Sequence, residues 1–204
     1  MKPVLFFIAL ILVINPFMDH VIGNDLDHLA KIQEDVKSKR ISSYDRSGGN
    51  NDRFENIPDG EKRTLFEVKG AGKINHIWIT IAPPPETLSR NDIILRIYWD
   101  GNEFPSVESP IGPFFGQGWN ESYPFSSLPL AAGPVDGRGL VSYWSMPFDK
   151  GAKIEVENQT GRKIDAFYYY IDYVEMKKLP EDMGRFCAWY NHELTEALES
   201  GENE

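Results

Sequence analysis

From Lys62 onward the apolar residues recur at every second position, and that period decides most of what the chain can become. Ile77, Ile79 and Ile81 fall on one face of an extended run, with His76, Trp78 and Thr80 on the other. Ile93, Leu95, Ile97 and Trp99 alternate in the same way against Ile94, Arg96 and Tyr98. Thr64–Val68, Leu140–Ser145, Lys153–Glu157 and Ala166–Val174 read as further strands, and Arg185–Asn191 closes the series. Successive side chains on a strand point to opposite faces, so this period buries one face and frees the other. Short strands separated by Gly, Pro and Asn turns, with no helical period between them, predict an all-β fold, an antiparallel jelly-roll β-sandwich.

The chain before the strands has a different character. Lys2 precedes an apolar run from Val4 to Ile14, and Val21-Ile22-Gly23 suits a cleavage site. The run is short for a membrane span and normal for a signal peptide, so residues 1–23 read as a leader. The protein is then expected to be exported, to the periplasm or the extracellular space. Leu26, Leu29, Ala30, Gln33 and Val36 share one face of a short predicted N-terminal helix. Asn24 or Asp25 would cap it, and Lys37-Ser38-Lys39-Arg40 would complement its dipole. Residues 24–192 then form one domain, and residues 193–204 an acidic tail.

Charge and cysteine usage exclude several function classes. The net charge is −10, and Glu193, Glu196, Glu199, Glu202 and Glu204 crowd the tail. Nothing here attracts a phosphate backbone, so nucleic acid is not an expected partner. The single cysteine, Cys187, forms no internal disulfide, and stability must come from packing. Behind the leader His28, His76 and His192 are widely spaced, without metal-site spacing. No phosphate-cradling glycine loop or nucleophile elbow occurs, so neither metal nor cofactor is expected.

What remains is carboxylates and aromatics near turns. Tyr44-Asp45-Arg46, Tyr98-Trp99-Asp100-Gly101, Glu108 and Phe114-Phe115-Gly116 suit a sugar site. Ring faces stack on sugar rings while carboxylate and guanidinium groups fork onto hydroxyls. The same residues also admit structural roles: a surface ion pair or turn cap at Asp45-Arg46, a turn at Asp100-Gly101, and core aromatics. Pro105 to Gly139 lacks regular alternation, and a loop of that length is usually functional or paired with another surface.

These blocks, taken in order, resemble glycoside hydrolase family 172. The resemblance runs through Ile41-Ser42-Ser43-Tyr44-Asp45-Arg46, then Gly70-Ala71-Gly72-Lys73-Ile74-Asn75-His76-Ile77-Trp78 and Leu95–Gly101. It continues through Pro105–Pro110, Phe114-Phe115-Gly116, Ser145-Met146-Pro147-Phe148, Tyr169–Tyr173 and Gly184-Arg185-Phe186. It implies a subunit of two jelly rolls, trimer-based homo-oligomers, and retaining, exo-type cleavage of fructofuranoside or arabinofuranoside linkages. The partner implied is a furanoside-containing glycan. Retaining hydrolysis requires two carboxyl groups about 5 Å apart.

The family's catalytic glutamates lie in a Gly-Glu-Gly-Asp block and a Thr-Glu-Asp-Tyr block of the second roll, and neither string occurs in this sequence. No residue here therefore inherits a catalytic role. By position, Asp45, Arg46, Trp99, Asp100 and Glu108 become candidate substrate-binding residues, with Trp99 as a stacking wall. Pro113 stands where the family commonly has Asp, and Cys187 where it often has His. Two readings follow: the front part of a hydrolase completed by a second roll, or a stand-alone carbohydrate-binding or assembly module. A roll shaped to pack on another exposes an apolar face, so the chain is expected to self-associate.

Overall fold

The alternation becomes two facing sheets in the computed structural model, which describes Ile32 and residues 35–194. In chain order the first strands are β1 (Val36–Ser42), β2 (Phe54–Ile57), β3 (Lys62–Lys69), β4 (Gly72–Ala82), β5 (Ile93–Trp99) and β6 (Val107–Pro110). A one-turn helix, α1 (Ile111–Phe114), follows, then β7 (Phe125–Ser126), β8 (Leu130–Gly133), β9 (Gly139–Ser142) and β10 (Met146–Phe148). The series ends with β11 (Gly151–Asn158), β12 (Ile164–Met176) and β13 (Ala188–Trp189). The leader, most of the predicted helix and the tail beyond residue 194 lie outside the described residues.

Among the described residues, one sheet is eight-stranded, ordered β1-β12-β4-β9-β8-β7, with β10 also on β4 and β2 on β12. The other is five-stranded, ordered β13-β6-β5-β11-β3. Ile77, Ile79 and Ile81 of β4 face Ile93, Leu95, Ile97 and Trp99 of β5 within one buried cluster. The expected inward faces are the observed ones because a period of two fixes the face once one side is buried.

Three sequence expectations are corrected here. The predicted end of the helix, Val36 to Arg40, is strand: β1 pairs with β12 from Val36↔Met176 to Ser42↔Tyr170. That long-range ladder overrides the local helical pattern, as tertiary contacts routinely do. Leu140–Ser145 breaks after Ser142, and pairing with β4 resumes only in β10. Arg185–Asn191 yields only the two residues of β13, which run parallel to β6. Side chains at the end of β5 hold this segment away from a ladder: Trp99 Nε1 donates to the Phe186 carbonyl at 2.7 Å, and Asp100 takes Arg185.

The even period also breaks within β3. Pairing with β11 passes from Phe66↔Ile154 to Thr64↔Glu155, leaving Leu65 without an opposite residue. This bulge lets both neighbours point inward, at 2% exposure for Leu65 and 1% for Phe66. Each such side chain stabilises the fold by about 1.5–3 kcal/mol on burial. Likewise, Pro105–Gly139 is not one long loop but β6, α1, β7 and β8 in succession. Buried Gln117 closes the stretch by donating to the Tyr123 and Gly137 carbonyls at 3.0 and 2.7 Å.

Candidate functional site

β1 and β3 are edge strands of opposite sheets and lie along the same open side of the sandwich. The chain leaving β1 turns over this seam, and its shape follows from one carboxylate. Asp45 Oδ1 accepts the Ser47 N–H at 2.9 Å and the Ser47 hydroxyl at 2.6 Å, and Oδ2 accepts the Asn51 N–H at 3.2 Å. A Cβ on Gly49 would lie 2.5 Å from Asp45 Oδ2, so a larger residue there would push the carboxylate from its place in the loop. The Asp45 N–H in turn donates to Asp52 Oδ1 at 2.6 Å. Asx-type bonds of this kind replace ladder bonds where the chain must turn.

The loop is pinned to the sheet by Ser43. Its hydroxyl donates to the Asp52 carbonyl at 2.7 Å and accepts the Tyr169 N–H of β12 at 3.0 Å. The Ser47 hydroxyl, then the N–H groups of Ser47 and Asn51, hold the Asp45 carboxyl below the usual carboxylate range. It stays anionic, with its lone pairs engaged inside its own loop.

Beneath the loop lies a cleft of about 550 Å³, lined by Tyr44, Asp45, Arg46, Phe66, Glu67 and Tyr169 among others. Tyr169 is buried, and burial pushes its phenol up to about 12, with Arg46 pulling the other way. Arg46 is exposed, and its guanidinium lies 5.5 Å over the Tyr44 ring. A cation over an aromatic face is orientated without being neutralised, and its donors remain free for hydroxyl or carboxylate oxygens.

Of the five predicted residues, the structure brings Asp45 and Arg46 together and separates the other three. Trp99 is 1% exposed, with the Phe148 ring parallel to it at 6.4 Å. A covered indole presents no stacking face, so the predicted wall is a core residue. Asp100, in a turn at φ +59°, accepts the Asp149 and Lys150 N–H groups at 2.7 Å each and Arg185 Nε at 2.6 Å. It edges a neighbouring groove of about 540 Å³ that shares Glu67 with the seam cleft. Glu108 accepts Arg96 Nε at 2.5 Å, and the same guanidinium also donates to Glu157. This cluster lies on the outer face of the five-stranded sheet, beside a pocket of about 310 Å³ that includes Tyr190.

Sequence reasoning missed Tyr169, Glu67 and Arg53 as cleft residues, because β12, β3 and the loop before β2 meet only in three dimensions. It also missed Ser43 and Asp52 as the loop's anchors. A signal for the anchors was present: an Asp followed by two glycines, two asparagines and a second Asp spells a chain of local turns. Chemically the cleft offers a guanidinium, carboxylates and phenol rings along one open surface. Among the described residues no three His, Cys, Asp or Glu side chains gather as a metal-holding group.

Comparison with known proteins adds one strong match. The family model described as "GH172 first beta-sandwich domain" matches residues 34–182. No curated protein matches the chain. A solved structure titled "Structure of infectious bursal disease virus Gx strain" aligns over 69% of this chain and 32% of its own, at 11% identity. Its TM-score of 0.33 carries no argument about fold or function.

Proposed function

The chain belongs to glycoside hydrolase family 172 as its first β-sandwich domain, and from that premise we propose that it forms the sugar-facing wall of an exported, exo-acting furanosidase. The acid–base and nucleophile glutamates belong to a second β-sandwich. Residues 34–182 are the part that binds and orients the furanose. The observation supporting this reading is Arg46, held open over Tyr44 at the lip of the seam cleft.

Asp45 stays ionised and occupied by its own loop, which suits a scaffold and not a proton donor. A general acid needs a carboxyl kept protonated near the working pH. Arg46 forks onto ring hydroxyls, while the second sandwich supplies two carboxyl groups about 5 Å apart for double displacement. Assembly follows the same logic: a wall needs a facing wall, and trimer-based oligomers of two-sandwich subunits supply it.

The test uses the full chain with 4-nitrophenyl arabinofuranoside and fructofuranoside. The expected result is binding without turnover, with Arg46→Ala weakening binding about tenfold, the equivalent of about 1.4 kcal/mol. Turnover by this chain alone would overturn the placement of the glutamates. Unchanged affinity in Arg46→Ala would overturn the wall. Sedimentation of the chain reads self-association separately.

A further inference from the structure

On the outer side of the eight-stranded sheet, one row of side chains forms a stack with an open end. Strand pairing sets Trp78 of β4 opposite Tyr170 of β12 on one side and opposite Val141 of β9 on the other. The Trp78 and Tyr170 rings stack at 5.1 Å and 29°. From the β1 side the Arg40 guanidinium covers Tyr170 at 4.9 Å. Arg40 is itself fixed by two bonds to Asp172, at 2.6 and 2.9 Å, and Asp172 also takes His76 Nδ1 at 2.8 Å. Three strands thus hold the indole in one orientation.

The next place in that row is Val141, and a groove opens there beside the indole. On the β9 side Trp78 borders a groove of about 490 Å³ whose walls include Gly133, Gly139 and Val141. A Cβ on Gly139 would stand 2.8 Å from the Gly133 carbonyl oxygen and 3.4 Å from Trp78 Nε1. Glycine there keeps the floor low beside the indole. The polar groups of the groove are the Thr80 side chain and the Asp136–Arg138 pair, closed at 2.7 Å. None of its lining residues belongs to the seam cleft.

We propose that this groove is a second carbohydrate-binding site, taking one ring of a neutral glycan against Trp78 with its hydroxyls on Thr80, Asp136 and Arg138. An immobilised aromatic face beside a carboxylate and a guanidinium is the combination that recognises a ring with apolar faces and polar edges. The ligand is neutral because the charges around it are already matched, Asp136 by Arg138 and Asp172 by Arg40. The outer face of the five-stranded sheet offers a contrast: Arg96, Glu108, Glu157, Lys153 and Glu155 satisfy one another there, with no indole beside its grooves.

Affinity electrophoresis of the full chain through gels containing soluble arabinan, levan or dextran tests the site. The three arms separate furanose from pyranose glycans. Retardation by at least one polysaccharide is expected, with Trp78→Ala raising the dissociation constant about tenfold or more. Asp136→Ala, at a half-exposed position, keeps the fold and weakens retardation about threefold to tenfold. The Trp78→Ala and Asp136→Ala losses persist in an Arg46→Ala background, which separates this groove from the seam cleft. The proposal is overturned by no retardation in any gel, by equal retardation of wild type, Trp78→Ala and Asp136→Ala, or by Trp78→Ala having no effect once Arg46 is replaced. Trp78-dependent self-association without glycan binding would overturn it too, as a contact between copies.

Discussion

Replacing Asp100 separates a structural carboxylate from a ligand-binding one. Its oxygens take two backbone N–H groups at 2.7 Å and the Arg185 guanidinium at 2.6 Å, at 19% side-chain exposure. A hydrogen bond to a charged group contributes about 1.5–3 kcal/mol, and a partly solvated ion pair up to about 1 kcal/mol. Taking the lower figure for the two backbone bonds gives about 3–4 kcal/mol for Asp100→Ala. Alanine at φ +59° adds strain of about 1 kcal/mol. At about 2–4 °C per kcal/mol for a domain of this size, the melting temperature falls by about 8–20 °C.

Asp100→Asn tolerates the left-handed turn and keeps an acceptor for the backbone, so about 1–2 kcal/mol is lost. Burial works against the charged form of Asp100. The Lys150 N–H, Arg185 and the Asp149 N–H outweigh it and hold the carboxyl below its ordinary value. A depressed folded value stabilises the native state above the unfolded value, near about 3.9, and is lost as pH falls through the folded value. The melting gap between wild type and Asp100→Asn should therefore stay constant from about pH 5 to 8 and close in acid. Equal melting across the neutral range, or furanoside binding lost with melting unchanged, would refute this assignment.

Other substitutions probe the remaining assignments. Trp99→Phe loses the bond to the Phe186 carbonyl and should cost about 1–2 kcal/mol in urea unfolding, while Trp99→Ala costs about 3–5 kcal/mol. Neither should change furanoside affinity, because the indole is covered. Gly49→Ala drives a methyl into Asp45 Oδ2 and should weaken furanoside binding about tenfold while leaving the urea midpoint nearly unchanged. Arg90 is 6% exposed and donates to the Ile81, Pro83 and Leu88 carbonyls. Arg90→Met leaves those carbonyls unpaired and should destabilise by about 2–4 kcal/mol in the same unfolding assay.

Strand faces were legible because period two is a local code. Each residue's neighbours two positions away carry the information, and β4 and β5 bury the residues their alternation names. The Leu65–Phe66 bulge escaped that code because a bulge is a property of two paired strands. β1 escaped it for a related reason: Lys37 to Arg40 looks helical until the partner strand, 132 residues away from Arg40 at Asp172, is in place.

The same division holds for the site. Asp45 and its glycines could be read from the chain, since the carboxylate folds a loop made of its own next neighbours. Trp99, Asp100 and Glu108 advertised sugar-binding chemistry by residue type, and packing turned the first into core and gave the other two protein partners. Trp78 looked like an ordinary strand residue on the face opposite Ile77 and Ile79, and Tyr170 like one more strand aromatic; only the pairing of β12, β4 and β9 makes them a stack beside an open groove. By itself the sequence determined which groups are available and which strand face they occupy, because both are local. Tertiary structure alone decided which groups are free to meet a ligand, because exposure and hydrogen-bond partners come from segments distant in the chain.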